Sequence, residues 1–317
     1  MISILKKISY SFIKWYRDKY IPVYGVTNAY AVSDIDEASI ILKRYIDGDL
    51  PCMISRFGAN EMDCYMNYRH SHPLSFLRKV FPFWIGENTK IRMKENAGFF
   101  PIDNGAFAQF SDLTNSCIHE IDVLVSWLNQ EGAIDCFRDV SKVRHLHLEP
   151  YWSKNPWTEG LKGKKVLVVH PFVETIRSQY EKRKYLFKDP RVLPDFQQLI
   201  TIKAVQSIGG KSESFDTWFD ALRYMENQID QVDYDVALIG CGAYGMPLAA
   251  HCKKMGKKAV HMGGALQLLF GIKGGRWENP NYCQEFDYSS LFNEYWVYPA
   301  AEERPSSADK VENACYW

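Results

Sequence analysis

The sequence carries no excess of either charge. Lys plus Arg and Asp plus Glu both number 38, so the formal net charge is zero. A protein that binds nucleic acid through general electrostatics has a basic excess, at least on one domain. We therefore expect no nucleic-acid partner.

Long apolar runs and paired cysteines are also absent. No stretch reaches the roughly 18 uninterrupted apolar residues of a transmembrane helix. The first residues are interrupted by Lys, Arg and Asp and are followed by no small-residue cleavage site, so we do not interpret them as a signal peptide. The eight cysteines form no C-x-x-C pair, and most lie in apolar stretches, as reduced, buried thiols do. These features predict a cytoplasmic protein.

Several catalytic signatures are missing as well. The chain has no H-E-x-x-H, no G-x-S-x-G elbow and no Walker lysine motif. This disfavours zinc proteases, serine hydrolases of the α/β type and P-loop nucleotide hydrolases. What the chain does have is 46% apolar residues, enough for a full core.

Residues 1–22 predict a basic amphipathic helix. Apolar residues recur among Lys6, Lys7, Lys14 and Arg17. Such a helix either packs on the domain or contacts anionic lipid headgroups through residues 1–20, at the inner face of a membrane. Both interpretations stay open.

Short β-rich runs alternate with helical patterns along the body of the chain. The runs are VRHLHLEP, KKVLVVHP, DVALIGCG and KKAVHMGG, and the clearest helical segments are residues 33–49 and 214–230. Ser33 or Asp34 is expected to cap the first helix and Ser214 the second. The alternation predicts an α/β fold with a mostly parallel, Rossmann-like sheet and helices on both faces.

A polar segment with Pro and Gly precedes the run KKVLVVHP and suggests a domain boundary near residue 160. We predict an N-terminal α/β lobe over 23–160, a Rossmann-like nucleotide-binding lobe over 161–290 and a tail over 291–317. A cleft between the lobes would be the ligand site.

The run DVALIGCGAYGMPL contains G-x-G-x-x-G between a predicted strand and a predicted helix. Gly240, Gly242, Ala243, Tyr244 and Gly245 are therefore expected to turn their amides toward a phosphate, although a merely tight turn would also explain the glycines. A dinucleotide site would want an acidic residue at the end of the next strand, and none is present there. An NAD(P)-dependent oxidoreductase remains an alternative.

A second constellation is ISRFGANEMDC. Arg56 is suited to phosphate or carboxylate, Gly58 to a sharp turn, and Glu61 to the role of base or metal ligand, with Asp63 nearby. An ion pair between Arg56 and Glu61 is the structural alternative.

Two further places follow predicted strands. His170 is expected either to donate to a phosphate, to act as a base, or only to bond to backbone. His261, Gly263 and Gly264 lead into a loop that ends at Arg276 and either closes over a charged sugar ligand or is an ordinary exposed loop.

RFGANE and the stretch from Asp235 to Gly264 together resemble the bacterial GT-D type glycosyltransferases, over roughly residues 50 to 270. That family has an R-x-G-D-G-E-like loop after an early strand. Arg56, Gly58 and Glu61 match it, whereas Ala59 stands at the family aspartate and Asn60 at its glycine.

The resemblance implies transfer of a sugar from a nucleotide sugar to a glycan or lipid-linked acceptor in surface-polysaccharide biosynthesis. It implies Mn²⁺ or Mg²⁺ at Glu61, helped by Asn60 or Asp63; otherwise Arg56, Lys203 or Arg276 meets the diphosphate charge. Glu61, His170 and His261 are the candidates for proton transfer. Because Ala59 replaces a carboxylate, a non-catalytic nucleotide- or carbohydrate-binding protein is a further alternative.

Overall fold

A computed structural model describes residues 31–71, 85–207, 214–305 and 315–317. The helix expected over residues 1–22 lies outside these ranges. Within them, no helix has the length and apolar character needed to cross a membrane.

The described residues form one parallel sheet of seven strands in the order β3-β2-β1-β7-β6-β4-β5. The strands are β1 Cys52–Ser55, β2 Val123–Ser126, β3 Ser141–Arg144, β4 Lys165–His170, β5 Gln198–Lys203, β6 Val236–Ile239 and β7 Lys258–His261. The expected α/β class with a parallel sheet is confirmed.

Helices cover both faces of this sheet. They are α1 Ile35–Asp47, α2 Ala59–Ser71, α3 Glu87–Glu95, α4 Asn104–Ile118, α5 Val173–Glu181, α6 Arg183–Leu186, α7 Trp218–Asp230, α8 Gly245–Lys254, α9 Ala265–Leu269 and α10 Gly275–Glu278. Alternate strand residues point to opposite faces. Leu167 and Val169 therefore pack in the core layer of α2, α3, α4, α7 and α8, whereas Val166 and Val168 pack in that of α1, α5, α6 and α9.

The sheet runs across the expected lobe boundary. Strands β1 to β3 come from 23–160 and β4 to β7 from 161–290, and β1 pairs with β7 through Met53 and Ala259. The segment before β4 packs against the sheet and places the fully buried Trp157 in the core, so its polar composition does not mark a division of the sheet. The described part of the expected tail also packs on the body, where Trp296 is buried.

The sequence located one helix cap and missed another. Asp34 accepts a hydrogen bond from the amide of Glu37 and caps α1, as expected. Helix α7 is capped by Thr217 and not by Ser214, because Thr217 and Asp220 exchange hydrogen bonds in a capping box.

Candidate functional site

The carboxyl ends of the strands open into one cavity of about 620 Å³. In the order of the sheet its wall passes from His145 and Trp127 through Arg56, the Gly263 turn, the Gly240 turn and His170 to Gln206. Neighbouring strands are about 4.8 Å apart, so the cavity follows the sheet edge for roughly 25 Å between Trp127 and Gln206. Ligands of open parallel sheets bind at this edge.

Most of the residues predicted from the sequence line this cavity. They are Arg56, Gly58, Asn60, Glu61, His170, Gly240, Gly242, Tyr244, His261, Gly263, Gly264 and Arg276. Ala243 lines a smaller cavity behind it, and Gly245 lines neither. Lys203 is exposed at the end of β5, the last strand of the sheet order, and is not part of the lining.

Arg56 presents a guanidinium group that forms no close salt bridge with the described residues. Its guanidinium carbon lies 4.9 Å from the centre of the Trp127 ring, and its Nε donates to the carbonyl of Phe57 at 3.4 Å. Burial lowers the pKa of Arg56, against the opposing effect of charges that include Glu61. A guanidinium of this kind in a cavity wall is suited to an anionic ligand.

Trp127 is held in place by buried hydrogen bonds. Its indole N–H donates to the carbonyl of Phe57 at 2.9 Å. The carboxyl of Glu131 accepts from the hydroxyl of Ser126 at 2.6 Å and from the amide of Leu128 at 3.3 Å, which fixes the turn after β2. Trp127 and Glu131 were missed by sequence reasoning, although an aromatic residue directly after the run VLVS was a usable signal.

The Glu61 side chain packs directly against Gly58. Glu61 lies in the first turn of α2, and its carboxyl folds back over Gly58 so closely that a Cβ at position 58 would lie 2.0 Å from its Oε2. Burial raises the pKa of Glu61, against the opposing effect of a hydrogen bond from its own amide. Gly58 is therefore needed to admit a carboxyl with an elevated proton affinity.

Metal-ligating side chains are sparse at this site. Across the described ranges, no group of three or more His, Cys, Asp or Glu residues is placed to hold a metal ion. Asp63, an expected helper, is bonded to Arg92 at 2.7 Å. Glu61 and Asn60 remain, and such a pair fits an ion of the Mg²⁺ type, which is often held by one carboxylate together with the phosphates of a substrate.

The two predicted histidines are neutral and differ in their roles. The amide of Phe172 donates to Nδ1 of His170 at 3.0 Å, which leaves the ring proton on Nε2. His261 lies 3.2 Å from the Ser55 hydroxyl through Nδ1, and its Nε2 would be 2.2 Å from a Cβ at Gly245. Burial lowers the pKa of each histidine to about 3. His170 is thus a hydrogen-bond donor, and His261 packs between β1 and α8.

The glycine turn after β6 is shaped by close contacts. Gly242 has φ of +58° in the left-handed region, and a Cβ at Gly240 would lie 2.7 Å from the carbonyl oxygen of Gly263. The turn continues through Gly242–Tyr244 into α8, and the amide of Gly245 donates to the carbonyl of Gly242. The amides suited to an anion in the cavity are therefore those of the turn itself, at Cys241 and Gly242, which line it. The third glycine of the motif, Gly245, leaves room for the ring of His261, so packing explains it without a ligand.

Two aromatic residues near the motifs, Tyr244 and Trp277, have rings that pack inside the fold. Tyr244 stacks on Trp218, with ring centres 4.6 Å apart, and bonds to Ser207 at 2.9 Å. Trp277 is buried and is not part of the lining. Trp127, Tyr282 and Tyr316 are aromatic residues that line the cavity.

The loop expected to close over the ligand is packed against other parts of the described structure. The Gln267 amide donates to the carbonyls of Lys273 and Tyr316, both at 3.1 Å. The Arg276 guanidinium lies 4.4 Å above the ring of Tyr316. Sequence reasoning missed Tyr282 and Tyr316 because they follow no strand and reach the cavity only through the tertiary fold.

The charge of the described lining is positive. Arg56 and Arg276 face a single acidic side chain, Glu61, and the histidines of the lining are neutral because burial lowers their pKa values. Comparison of the chain with models of protein families, with curated proteins and with solved structures found no match. The site's own chemistry therefore carries the functional argument.

Proposed function

We propose that the protein is a glycosyltransferase that moves a sugar from a nucleotide sugar to a hydroxyl of a glycan or lipid-linked acceptor. The observation that carries the proposal is that Arg56, which forms no close salt bridge with the described residues, and the glycine turn after β6 line one cavity. A diphosphate can bind to both groups, since its oxygens accept hydrogen bonds from an arginine side chain and from backbone amides. The resemblance of RFGANE to the GT-D loop points the same way.

The residues of the cavity would have different roles in this reaction. Arg56, His170 and the amides of the glycine turn stabilise the charge on the departing nucleoside diphosphate. Glu61 removes the proton from the acceptor hydroxyl, because a buried carboxylate with a raised pKa is a better base than an exposed one. The acceptor oxygen then bonds to the anomeric carbon as the bond from that carbon to the diphosphate breaks, and the bonding electrons leave with the diphosphate.

A divalent ion, if bound, would neutralise charge on the diphosphate. Glu61 and Asn60 would hold it on the protein side, and Glu61 would then be a metal ligand and not the base.

An oxidoreductase is the second candidate because G-x-G-x-x-G does stand between β6 and α8. The residue that ends the next strand, β7, is His261 and not an acid that could hold a ribose. Gly245 is also explained by packing. Both points favour the transferase. A non-catalytic binding protein remains a third candidate because of Ala59.

We further propose that the protein works in the cytoplasm, at the inner face of the membrane, where lipid-linked acceptors are presented. The basic composition of residues 1–20 supports this location.

The first test is a thermal-shift screen against UDP, GDP, their sugars, pyrophosphate and NAD(P), each with and without Mn²⁺. A ligand at a hundred times its Kd stabilises the native state by about 2.7 kcal/mol. We expect stabilisation by nucleoside diphosphates or their sugars in the parent and in Arg138→Gln, an exposed arginine that serves as control. Arg56→Gln should lose this stabilisation while folding normally, since it removes a buried charge that forms no close salt bridge with the described residues.

Stabilisation by NAD(P) alone would reject the transferase in favour of the oxidoreductase. If nucleotide sugars bind, turnover separates a transferase from a binding protein. Glu61→Gln should then bind the donor as the parent does and lose at least about a hundredfold in rate. Binding without turnover in the parent itself would leave only the non-catalytic function.

A further inference from the structure

One end of the cavity differs in chemistry from the rest. We call it the amide arm and define it by two segments, Asn96–Gly98 and Val205–Ser207. Its side chains carry no charge. Its second segment, Val205–Ser207, follows β5. This strand is two positions away from β6 and its Gly240 turn, or about 10 Å along the sheet edge.

The two segments of the amide arm are locked together. Gly98 has φ of +66°, and a Cβ there would lie 2.8 Å from the carbonyl oxygen of Ser207. The Ser207 hydroxyl donates to the carbonyl of Gly98 at 2.7 Å and lies 2.9 Å from the hydroxyl of Tyr244. Tyr244 belongs to the glycine turn and stacks on Trp218. The amide arm is therefore held rigidly relative to the turn that would bind a diphosphate.

Gln206 has an unmet hydrogen-bond requirement. Its Nε2 is buried and has no partner among the described residues. A buried donor of this kind is stabilised by an acceptor on a bound molecule. The neighbouring Asn96 adds a second neutral amide to the same part of the lining.

This chemistry matches one part of a nucleotide better than the others. A phosphate would require positive charge, which the amide arm does not have. Sugar rings favour aromatic faces, and Trp127, Tyr282 and Tyr316 lie in other parts of the lining. Tyr244 approaches the amide arm through its hydroxyl, while its ring is stacked on Trp218. Side-chain amides present a donor beside an acceptor, which is the pattern that reads the edge of a nucleobase.

We propose that the amide arm binds the nucleobase of the nucleotide and that Gln206 determines which base is accepted. This inference rests on the proposed function. The ribose would span the distance from the amide arm to the glycine turn, and the sugar and acceptor would occupy the half of the cavity beside Trp127 and Arg276.

The test measures Kd by calorimetry for UDP, CDP, GDP, ADP and inorganic pyrophosphate on the full chain. The variants are Gln206→Leu and Gln206→Glu, with Gln198→Leu as control because Gln198 is exposed at the opposite end of β5. We expect the parent and the control to prefer one nucleoside diphosphate. Gln206→Leu should reduce that preference about tenfold or more and keep the pyrophosphate affinity.

Gln206→Glu should reorder the bases toward those that offer N–H donors, which keeps the test decisive if Gln206→Leu does not fold. A base preference unchanged in both variants would overturn the assignment of Gln206 while leaving the proposed function intact. If pyrophosphate and every nucleoside diphosphate fail to bind the parent, the proposed function itself is rejected, and the two failures are thereby distinguished.

Discussion

At the residue scale, two glycines of the cavity differ in what a methyl group would meet. The three atoms nearest to a Cβ at Gly58 would all belong to the carboxyl end of the Glu61 side chain, which can rotate away. A Cβ at Gly240 would press on the backbone oxygen of Gly263, 2.7 Å away, and on the buried ring of His170. One change displaces a functional group, and the other strains the framework.

We therefore predict opposite results for alanine at the two positions. Gly58→Ala should change the free energy of unfolding by less than about 1 kcal/mol while lowering turnover of the nucleotide sugar nearly as much as Glu61→Gln does. Gly240→Ala should cost about 1–3 kcal/mol of stability through overpacking. Urea denaturation and initial rates measure the two quantities. Full turnover in Gly58→Ala would show that the position of the Glu61 carboxyl is unimportant.

Not every residue predicted from the sequence for the site lines the cavity. Arg56 directly follows β1, Glu61 lies in the helix just beyond it, and His170 ends β4, so all three reach the cavity at the carboxyl ends of the strands. Lys203 also ends a strand and pairs in register with His170, yet it lies on β5, the edge strand of the sheet, where its side chain is exposed and not part of the lining.

At the element scale, the start of α7 matters because this helix supplies Trp218, the stacking partner of Tyr244. Thr217→Ala removes the side chain that accepts a hydrogen bond from the amide of Asp220. We expect a loss of about 1 kcal/mol in the free energy of unfolding. Chemical denaturation measures it.

Thr217→Ser is the matched control, because serine keeps the capping hydroxyl and should retain most of the stability. Equal losses in both variants would indicate that the methyl group of Thr217, and not the cap, is responsible.

At the scale of the whole molecule, buried titratable groups connect stability to pH. Burial raises the pKa of Glu149 from 4.5 to about 7, although the Tyr288 hydroxyl donates to it at 2.6 Å. Between these values the folded state keeps a proton that the unfolded state releases, so this residue's contribution to stability falls as pH rises from about 4.5 to 7. Burial lowers the pKa of His170 to about 3, which acts in the opposite direction below its usual value of 6.5.

Buried carboxyls and buried histidines change the stability with pH in opposite directions. The prediction therefore compares a variant with the parent protein. Glu149→Gln imitates the protonated acid at every pH. Its free energy of unfolding relative to the parent should therefore rise by roughly 2–3 kcal/mol between pH 4.5 and pH 7.5. Denaturation at several pH values measures the difference. Glu302→Gln, at an exposed site, should show no such trend, and a flat difference for Glu149→Gln would mean that its carboxyl is ionised in the fold.

The sequence by itself determined the class of fold and the center of the candidate site. Alternating β and helical patterns are local, and the residues that follow parallel strands meet at one edge whatever the order of the strands. Arg56, Glu61 and the glycine turn could be found in this way.

Only the tertiary structure decided the rest. The pairing of β1 with β7 joined the two expected lobes into one sheet. The same fold brought Trp127, Tyr282, Tyr316 and the amide arm to the cavity. The physical reason is that strand order and side-chain packing depend on contacts between residues far apart in the chain, and neither periodicity nor a motif encodes such contacts.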